Sequence, residues 1–389
     1  MKILFLDQTG KLGGAELVLL DTAKSYQGTC LVGLFEDGPF RSLVEQQQIQ
    51  VQVLATQPLE VRKDSSFIQG LGSLGQLLPL IAKVVQLSRN YDLIYANTQK
   101  ALVVGALASF FSNRPLVFHL HDILSEEHFS RANRHLCVAL ANRFASRVIA
   151  VSKAAQTAFV AAGGRPDLVK VVYNGYEPER YQNQEQNPAQ VRQQLGLNGQ
   201  FVVAHFSRLS PWKGQHILIE AITQCPEDVI AVLVGDALFG EQDYVEQLHQ
   251  QVARLGLKNR VRFLGFRSDV PQLMAACDLV AHTSILAEPA TRVIIEAMLC
   301  GKPLVGVQAG GTVEFVESGE TGWLVEPGNP QQLAEIINTC RNQPEYAAAI
   351  AKQSQIQASQ RFNLTVTNQQ IAQLLDQVVK LRTHLKTTQ

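Results

Sequence analysis

Short runs of Ile, Leu, Val and Phe alternate along the chain with longer stretches in which apolar residues recur every three or four positions. The unbroken apolar runs at 3–6, 29–35, 93–95, 116–120 and 148–151 read as strands covered on both faces. Between them, 15–25, 74–89 and 135–145 carry helical periodicity. Buried strands joined by helical crossovers predict a parallel sheet with helices on both sides. The alternation pauses over 174–200, rich in Gln, Asn, Glu and Pro, where only a short helix near 188–195 is expected; this stretch reads as an interdomain connection. It restarts with strands at 201–206, 230–234, 261–264, 279–282 and 304–307 and helices at 216–223, 244–255 and 292–300. The pattern therefore predicts two doubly wound, Rossmann-like α/β domains, 1–177 and 178–367, with a Gln-rich amphipathic helix near 368–389 packing back on the first. Ligands of such sheets bind at the carboxyl ends of the strands, so two facing domains are expected to put the chemistry in a deep cleft between them.

A length of 389 residues fits two cores better than one, and 46% hydrophobic residues suffice to fill them. The formal net charge of zero argues against a partner bound by bulk electrostatics, nucleic acid above all. Six cysteines lie far apart without a CxxC pair, which suggests core residues rather than a zinc knuckle or a disulfide framework. The chain's first residues lead directly into a strand and lack the form of a signal peptide, and the longest apolar stretch, 101–111, is too short to span a bilayer. A cytoplasmic location is the expectation.

The most informative segment is 287–311, AEPATRVIIEAMLCGKPLVGVQAGG. A loop carries Glu288, a helix begins near Thr291 and stops at Gly301, and Glu296 falls in its second turn. A helix start offers unpaired N–H groups and the positive end of the macrodipole. One geometry accounts for these residues: a diphosphate on the helix start, one carboxylate on sugar hydroxyls and the other on a ribose diol. Two glutamates by themselves read rather as a solvated loop residue and a surface helix residue; the surrounding motifs reverse that in favour of the site.

A second motif, FSRLSPWKG at 206–214, presents Arg208 and Lys213 on one short loop after a strand. An Arg fork and a Lys point charge suit a diphosphate, and fixed cations there stabilise a leaving pyrophosphate as its charge develops. A third, DQTGKLGGAE at 7–16, lets the backbone at Gly13 and Gly14 approach a ligand before a helix, although its spacing is not the dinucleotide fingerprint GxGxxG. A fourth, HLHD at 119–122, sets His119 and His121 on one side of a strand. A metal pair there lacks further ligands at usable spacing. His121, nearer the loop, is the candidate donor of a hydrogen bond to sugar hydroxyls.

Together these residues resemble the retaining GT-B glycosyltransferases of family four. The resemblance covers nearly the whole chain, is densest over 202–328, and is carried by FSRLSPWKGQH, AVLVGDA, RVRFLGF, MAACDLVAHTS, EPATRVIIEAM, GKPLVG and GGTVEFVESGETGWLVEPGN, with GGAE, HLHD, VSKAA and VVYNG before them. It implies a nucleotide diphosphate sugar as donor, no cofactor and no metal. Glu288 would contact the donor sugar and Glu296 the ribose, Arg208 and Lys213 would hold the diphosphate, Gly13 and Gly14 would close over the donor, and His121 would be the active-site histidine. His121 and Glu288 are thus the catalytic candidates; Ala290, Thr291 and Arg292 line the donor site. The family is usually described as using the leaving phosphate to take the acceptor's proton. Ala290 and Thr291 stand where the family usually has an aromatic residue and a glycine, which bears on donor identity and on the level of activity. Glu177 replaces a usual aspartate.

A saccharide or lipid-linked acceptor is expected on the first domain. There Arg131, Arg134, Arg143 and Arg147 fall at helical spacings that suit an anionic acceptor or a lipid surface, or simply form a solvated face. Arg62, Lys63 and the apolar 67–71 hint at the same peripheral contact with the inner face of a membrane. Two other readings on this architecture are a sugar-nucleotide epimerase and a catalytically weak sugar-nucleotide-binding scaffold.

Overall fold

The computed structural model describes residues 1–55, 74–182, 187–197, 199–238 and 240–387. The stretch with Arg62, Lys63 and 67–71 lies outside the described residues. The chain divides into two compact units, Met1–Gly175 with Leu364–Gln389, and Tyr176–Asn363. The changes of unit thus fall two to four residues before the expected boundaries.

The first unit holds a seven-stranded parallel sheet: β1 (Ile3–Asp7), β2 (Cys30–Leu34), β3 (Gln50–Val53), β4 (Leu93–Ala96), β5 (Leu116–Leu120), β6 (Ala145–Ala150) and β7 (Val169–Val171), in the order β3-β2-β1-β4-β5-β6-β7. Its central strands are apolar on both faces because helices cover both: Leu4, Ile94 and Phe118 face one helical layer, and Phe5, Tyr95 and Val117 the other. The last helix, Leu364–Thr387, belongs to this unit: Ile371, Leu375 and Val378 join the core that contains Ile3, Phe5 and Leu19, and Asn368 Nδ2 donates to the Asp21 carbonyl at 3.0 Å.

The second unit repeats the scheme with β8 (Phe201–Phe206), β9 (Val229–Val234), β10 (Val261–Phe263), β11 (Leu279–Ala281), β12 (Leu304–Val307) and β13 (Trp323–Val325), ordered β10-β9-β8-β11-β12-β13 and parallel throughout. The strands absent from the sequence pattern lie at sheet edges. β3 reads QVQV and β7 VKV, and neither is a continuous apolar run because an edge strand is covered less completely. β13 has only three residues.

In each unit the strand order reverses beside the first strand, between β1 and β4 and between β8 and β11. At such a switch point the loops after the two neighbouring strands diverge and leave a crevice at the strand ends.

All six cysteines are free and five are buried. Among the described residues no helix is long and apolar enough to cross a membrane.

Candidate functional site

Two clusters of polar side chains occupy these switch points, one in each unit. In the second unit the loop after β8 carries Arg208 and Lys213, and the loop after β11 carries His282, Thr283, Ser284 and Glu288. Gly214 fixes the two loops together. Its φ is +72°, and a Cβ there would lie 1.9 Å from the Thr283 carbonyl oxygen, so only glycine lets the backbones approach this closely. Thr283 Oγ1 donates to the Gly214 carbonyl at 2.8 Å, and the Ile285 N–H to the Trp212 carbonyl at 2.8 Å.

That docking brings Lys213 Nζ to 2.6 Å from Glu288 Oε2. The other carboxylate oxygen, Oε1, accepts from His282 Nε2 at 2.7 Å and from the Ser284 hydroxyl. Burial by itself would raise the Glu288 carboxyl, but the Lys213 ammonium and the His282 ring outweigh it and hold it well below the usual carboxylate range. Glu288 is therefore an anion near neutral pH. Behind it, burial and then the neighbouring His282 and Lys213 bring the His205 ring down to about 3, so His205 is neutral and joins Thr283 Oγ1 to Ser207 Oγ by its two ring nitrogens.

Arg208 Nε sits 3.0 Å from Glu241 Oε2, and Ser210 Oγ donates to Glu241 Oε1. The Trp212 ring lies near both cations, 4.2 Å from Lys213 Nζ and 5.7 Å from Arg208 Cζ. Both expected diphosphate ligands thus lie at the carboxyl end of β8, each matched to a carboxylate.

The helix Arg292–Leu299 starts beside this cluster. Thr291 is its N-cap by position, yet its hydroxyl makes no cap hydrogen bond; it is buried against Thr312 Oγ1 at 3.2 Å. The first-turn N–H groups therefore lack a side-chain cap. The Cβ that distinguishes Thr291 from the family's glycine is accommodated within the protein. Gly310, with a φ of +57°, and Gly311 press on the loop before the helix: Cβ atoms there would lie 2.3 Å from the Glu288 carbonyl oxygen and 2.2 Å from that of Pro289. Ala290 follows in this tightly backed loop and is partly exposed. Glu296 Oε1 accepts from Arg292 Nη2 and from the Tyr181 hydroxyl, each at 3.3 Å, and the Arg292 guanidinium stacks 4.8 Å over the Tyr176 ring.

In the first unit, β1 ends at Asp7, β4 is followed by Asn97, and β5 by His121. Asn97 Nδ2 donates to Asp7 Oδ2 at 2.7 Å and to the Ala15 carbonyl at 3.1 Å, while its Oδ1 faces His121 Nε2 at 2.9 Å. The His119 and His121 rings meet at a tilt of 43° with centroids 4.1 Å apart, and His119 Nδ1 meets the Tyr95 hydroxyl at 2.7 Å. Among the described residues no group of three or more His, Cys, Asp or Glu side chains is arranged to hold a metal ion.

Gly13 caps and Gly14 opens the helix Gly14–Ala23, and the Glu16 carboxylate folds back beside Gly13. A Cβ on Gly13 would lie 2.5 Å from Glu16 Oε2. Gly13 and Gly14 themselves remain exposed at the start of this helix, with the buried Glu16 carboxylate beside them. Burial raises Asp7 to about 6, and burial followed by the Asp7 charge raises Glu16 to about 7.

Asp7, Asn97 and His282 are not among the expected site residues, although the sequence marks each as a polar residue at the carboxyl end of an apolar strand. Glu241 carries no such mark. The basic residues of the helix Arg131–Phe144 and the strand after it do not form one face: Arg131 and Arg134 turn to Glu126, at 3.5 and 2.6 Å, whereas Arg143 stacks on Phe144 and Arg147 donates to the Asp167 carbonyl.

Parallel doubly wound sheets with polar clusters at their switch points provide ligand sites at the strand ends, and comparison with known proteins gives the class. The model of the family "Glycosyl transferases group 1" matches residues 188–357, and that of "Glycosyltransferase Family 4" matches 12–180. HepE from Anabaena, solved in complex with UDP, superposes with a TM-score of 0.90 at 62% identity, covering 97% of this chain and 100% of that one. The same protein has been solved with UDP-glucose and with UDP and glucose. Spore coat protein SA of Bacillus subtilis is 29% identical over 256 residues, 62% of this chain and 67% of that protein. WaaG, a glycosyltransferase of lipopolysaccharide biosynthesis, has the same fold, with a TM-score of 0.72 at 19% identity over 96% of this chain and 99% of its own. The chain belongs to the glycosyl transferases group 1 family and is a glycosyltransferase with the GT-B fold.

Proposed function

We propose that this glycosyltransferase takes a hexosyl unit from a UDP-linked donor with retention of anomeric configuration, needs no divalent metal, and passes it to a saccharide or lipid-linked acceptor. The observation that carries the reading is the convergence of Arg208 and Lys213 at the end of β8, beside the uncapped start of the helix that bears Glu296. Two cations and a helix start supply the positive charge a departing diphosphate requires, the work a metal ion does elsewhere. Binding of the diphosphate draws Lys213 from Glu288 and Arg208 from Glu241, and the freed Glu288 carboxylate, still held by His282 and Ser284, accepts from sugar hydroxyls. Glu296 accepts from the ribose diol. The uridine base is supported by HepE, which binds UDP and UDP-glucose at 62% identity to this chain. The buried Thr291 hydroxyl favours an active donor site over a degenerate one.

The test is calorimetric titration of UDP and UDP-glucose with EDTA present, beside Arg208→Ala and Glu296→Ala. Binding by the parent and at least tenfold weaker binding by both variants is expected. Equal binding by all three, or a strict need for Mg²⁺, overturns the reading. The anomeric proton coupling of the transferred sugar decides retention.

Peripheral contact with an anionic membrane is supported by the first unit. Phe110 and Phe111, 61% and 63% exposed, stack edge to face at 5.2 Å, Phe144 lies 6.3 Å from Phe110, and Arg143 stacks on Phe144.

A further inference from the structure

The hydrogen bonds around His121 determine which of its ring nitrogens carries the proton. Asn97 can be oriented only one way. Its amide end near Asp7 also meets the carbonyl oxygen of Ala15, which is an acceptor and nothing else, so Nδ2 must point there whatever the state of the carboxyl. The Asn97 oxygen is then left facing His121 Nε2 at 2.9 Å, and that nitrogen must be the donor. Burial holds the ring's pKa near 3, so no second proton is added in the working range. Nδ1 keeps a bare lone pair.

We propose that Asp7 and Asn97 are positioning residues that lock His121 as the Nε2–H tautomer, so that the ring presents an acceptor to a substrate hydroxyl. This reverses the direction expected from the sequence, where His121 donates. It rests on the reading of His121 as a residue that meets a sugar, and it adds a selection rule. A sugar hydroxyl donates to Nδ1. A carboxylate, ether or fluorine at the same place brings lone pair against lone pair and cannot recruit a proton from so weakly basic a ring. The hydroxyl-bearing sugar is therefore favoured over its uronate or deoxyfluoro counterpart.

The chain of contacts belongs to the topology. Asp7 and Asn97 are 90 positions apart, and they meet because β1 and β4 are neighbours at the switch point, with Leu6 opposite Ala96. Asn97 also reaches the helix Gly14–Ala23 through the Ala15 carbonyl, so the orientation of the imidazole is tied to three elements.

The experiment is two-bond ¹H–¹⁵N correlation of the histidine rings in the ligand-free protein, with UDP release from UDP-glucose as the second readout. In the parent, His121 is expected to show the Nε2–H pattern unchanged from pH 6 to pH 8. Asn97→Leu removes the acceptor and should give a mixed or Nδ1–H ring and UDP release slower by about tenfold, with UDP affinity unaltered. Asn97→Gln keeps an amide that can donate toward Asp7 and accept from Nε2, and should keep the parent tautomer and release UDP faster than the leucine variant. An Nδ1–H ring in the parent overturns the proposal, as does an unchanged tautomer in Asn97→Leu. The ring spectrum needs no turnover, so failure of UDP-glucose as donor, with the Nε2–H pattern intact, counts against the donor reading alone.

Discussion

Lys213 Nζ lies 2.6 Å from Glu288 Oε2, so the cation expected to hold a diphosphate is paired with the carboxylate expected to hold a sugar. The pair is nearly buried, with side chains 14% and 11% exposed, and removing one partner leaves the other as an uncompensated charge. Lys213→Ala is expected to destabilise the second unit by about 2–4 kcal/mol at pH 7.5. The sign of its pH dependence follows from Glu288. A carboxyl held below its ordinary value contributes stability above pH 4.5 and loses it as the pH falls toward its lowered pKa. The deficit of the variant should therefore shrink as the pH falls below about 4.5, where Glu288 takes up a proton in the variant but not in the parent. Thermal unfolding from about pH 3 to pH 8 checks it; a deficit that stays constant below about pH 4.5 refutes the pairing as its source.

On the proposed function, Glu241, 3.0 Å from Arg208 Nε, competes with the donor's diphosphate for that guanidinium. Glu241→Gln keeps a side chain of the same shape that still accepts from Ser210 and removes the charge beside the guanidinium. UDP should bind about three- to tenfold more tightly to this variant, since the diphosphate no longer displaces a carboxylate. Weaker binding in calorimetry would instead make Glu241 a support for Arg208.

Asp7 and Glu16 oppose each other in the first unit. Their carboxyls are raised from 3.8 to about 6 and from 4.5 to about 7, so the folded chain binds more protons than the unfolded one between these limits. Stability from this pair is present below about pH 4 and is lost as the pH rises through 6 to 7. Glu16→Gln should flatten that fall and raise the unfolding temperature at pH 8, with a gain on the order of 1–3 kcal/mol. An unchanged slope of stability between pH 5 and 8 refutes it.

Gly214→Ala places a methyl 1.9 Å from the Thr283 carbonyl oxygen in a left-handed backbone conformation. The loops after β8 and β11 must separate to admit it. A loss of about 3 kcal/mol or more is expected, with UDP binding impaired because the loop that presents Arg208 and Lys213 is displaced. Chemical denaturation and UDP titration of the same sample measure both effects.

The aromatic patch is tested with vesicles. The parent should co-sediment with vesicles of phosphatidylcholine and phosphatidylglycerol at low salt, and less with phosphatidylcholine alone. Phe110→Ser with Phe111→Ser should abolish binding without changing UDP affinity. Equal recovery of parent and double variant in the pellet counts against membrane contact.

The sequence by itself determined the class of fold. A strand covered on both faces has to be apolar along its whole length, so β1, β2, β4, β5, β8, β9, β11 and β12 declared themselves, whereas the edge strands β3 and β7, less completely covered, did not. The residues with chemistry to offer were also legible, since Arg208, Lys213, Glu288 and His121 follow strands and precede helices. Which of them pair was decided only by tertiary structure. Lys213 and Glu288 stand 75 positions apart and Asp7 and Asn97 stand 90, and they touch because strand order, rather than chain order, sets the neighbours at a switch point. The inward turn of Thr291 and the acceptor edge of His121 depend on Thr312 and Asn97. A hydrogen bond's direction is a property of the partners the fold supplies, and no pattern along one strand contains it.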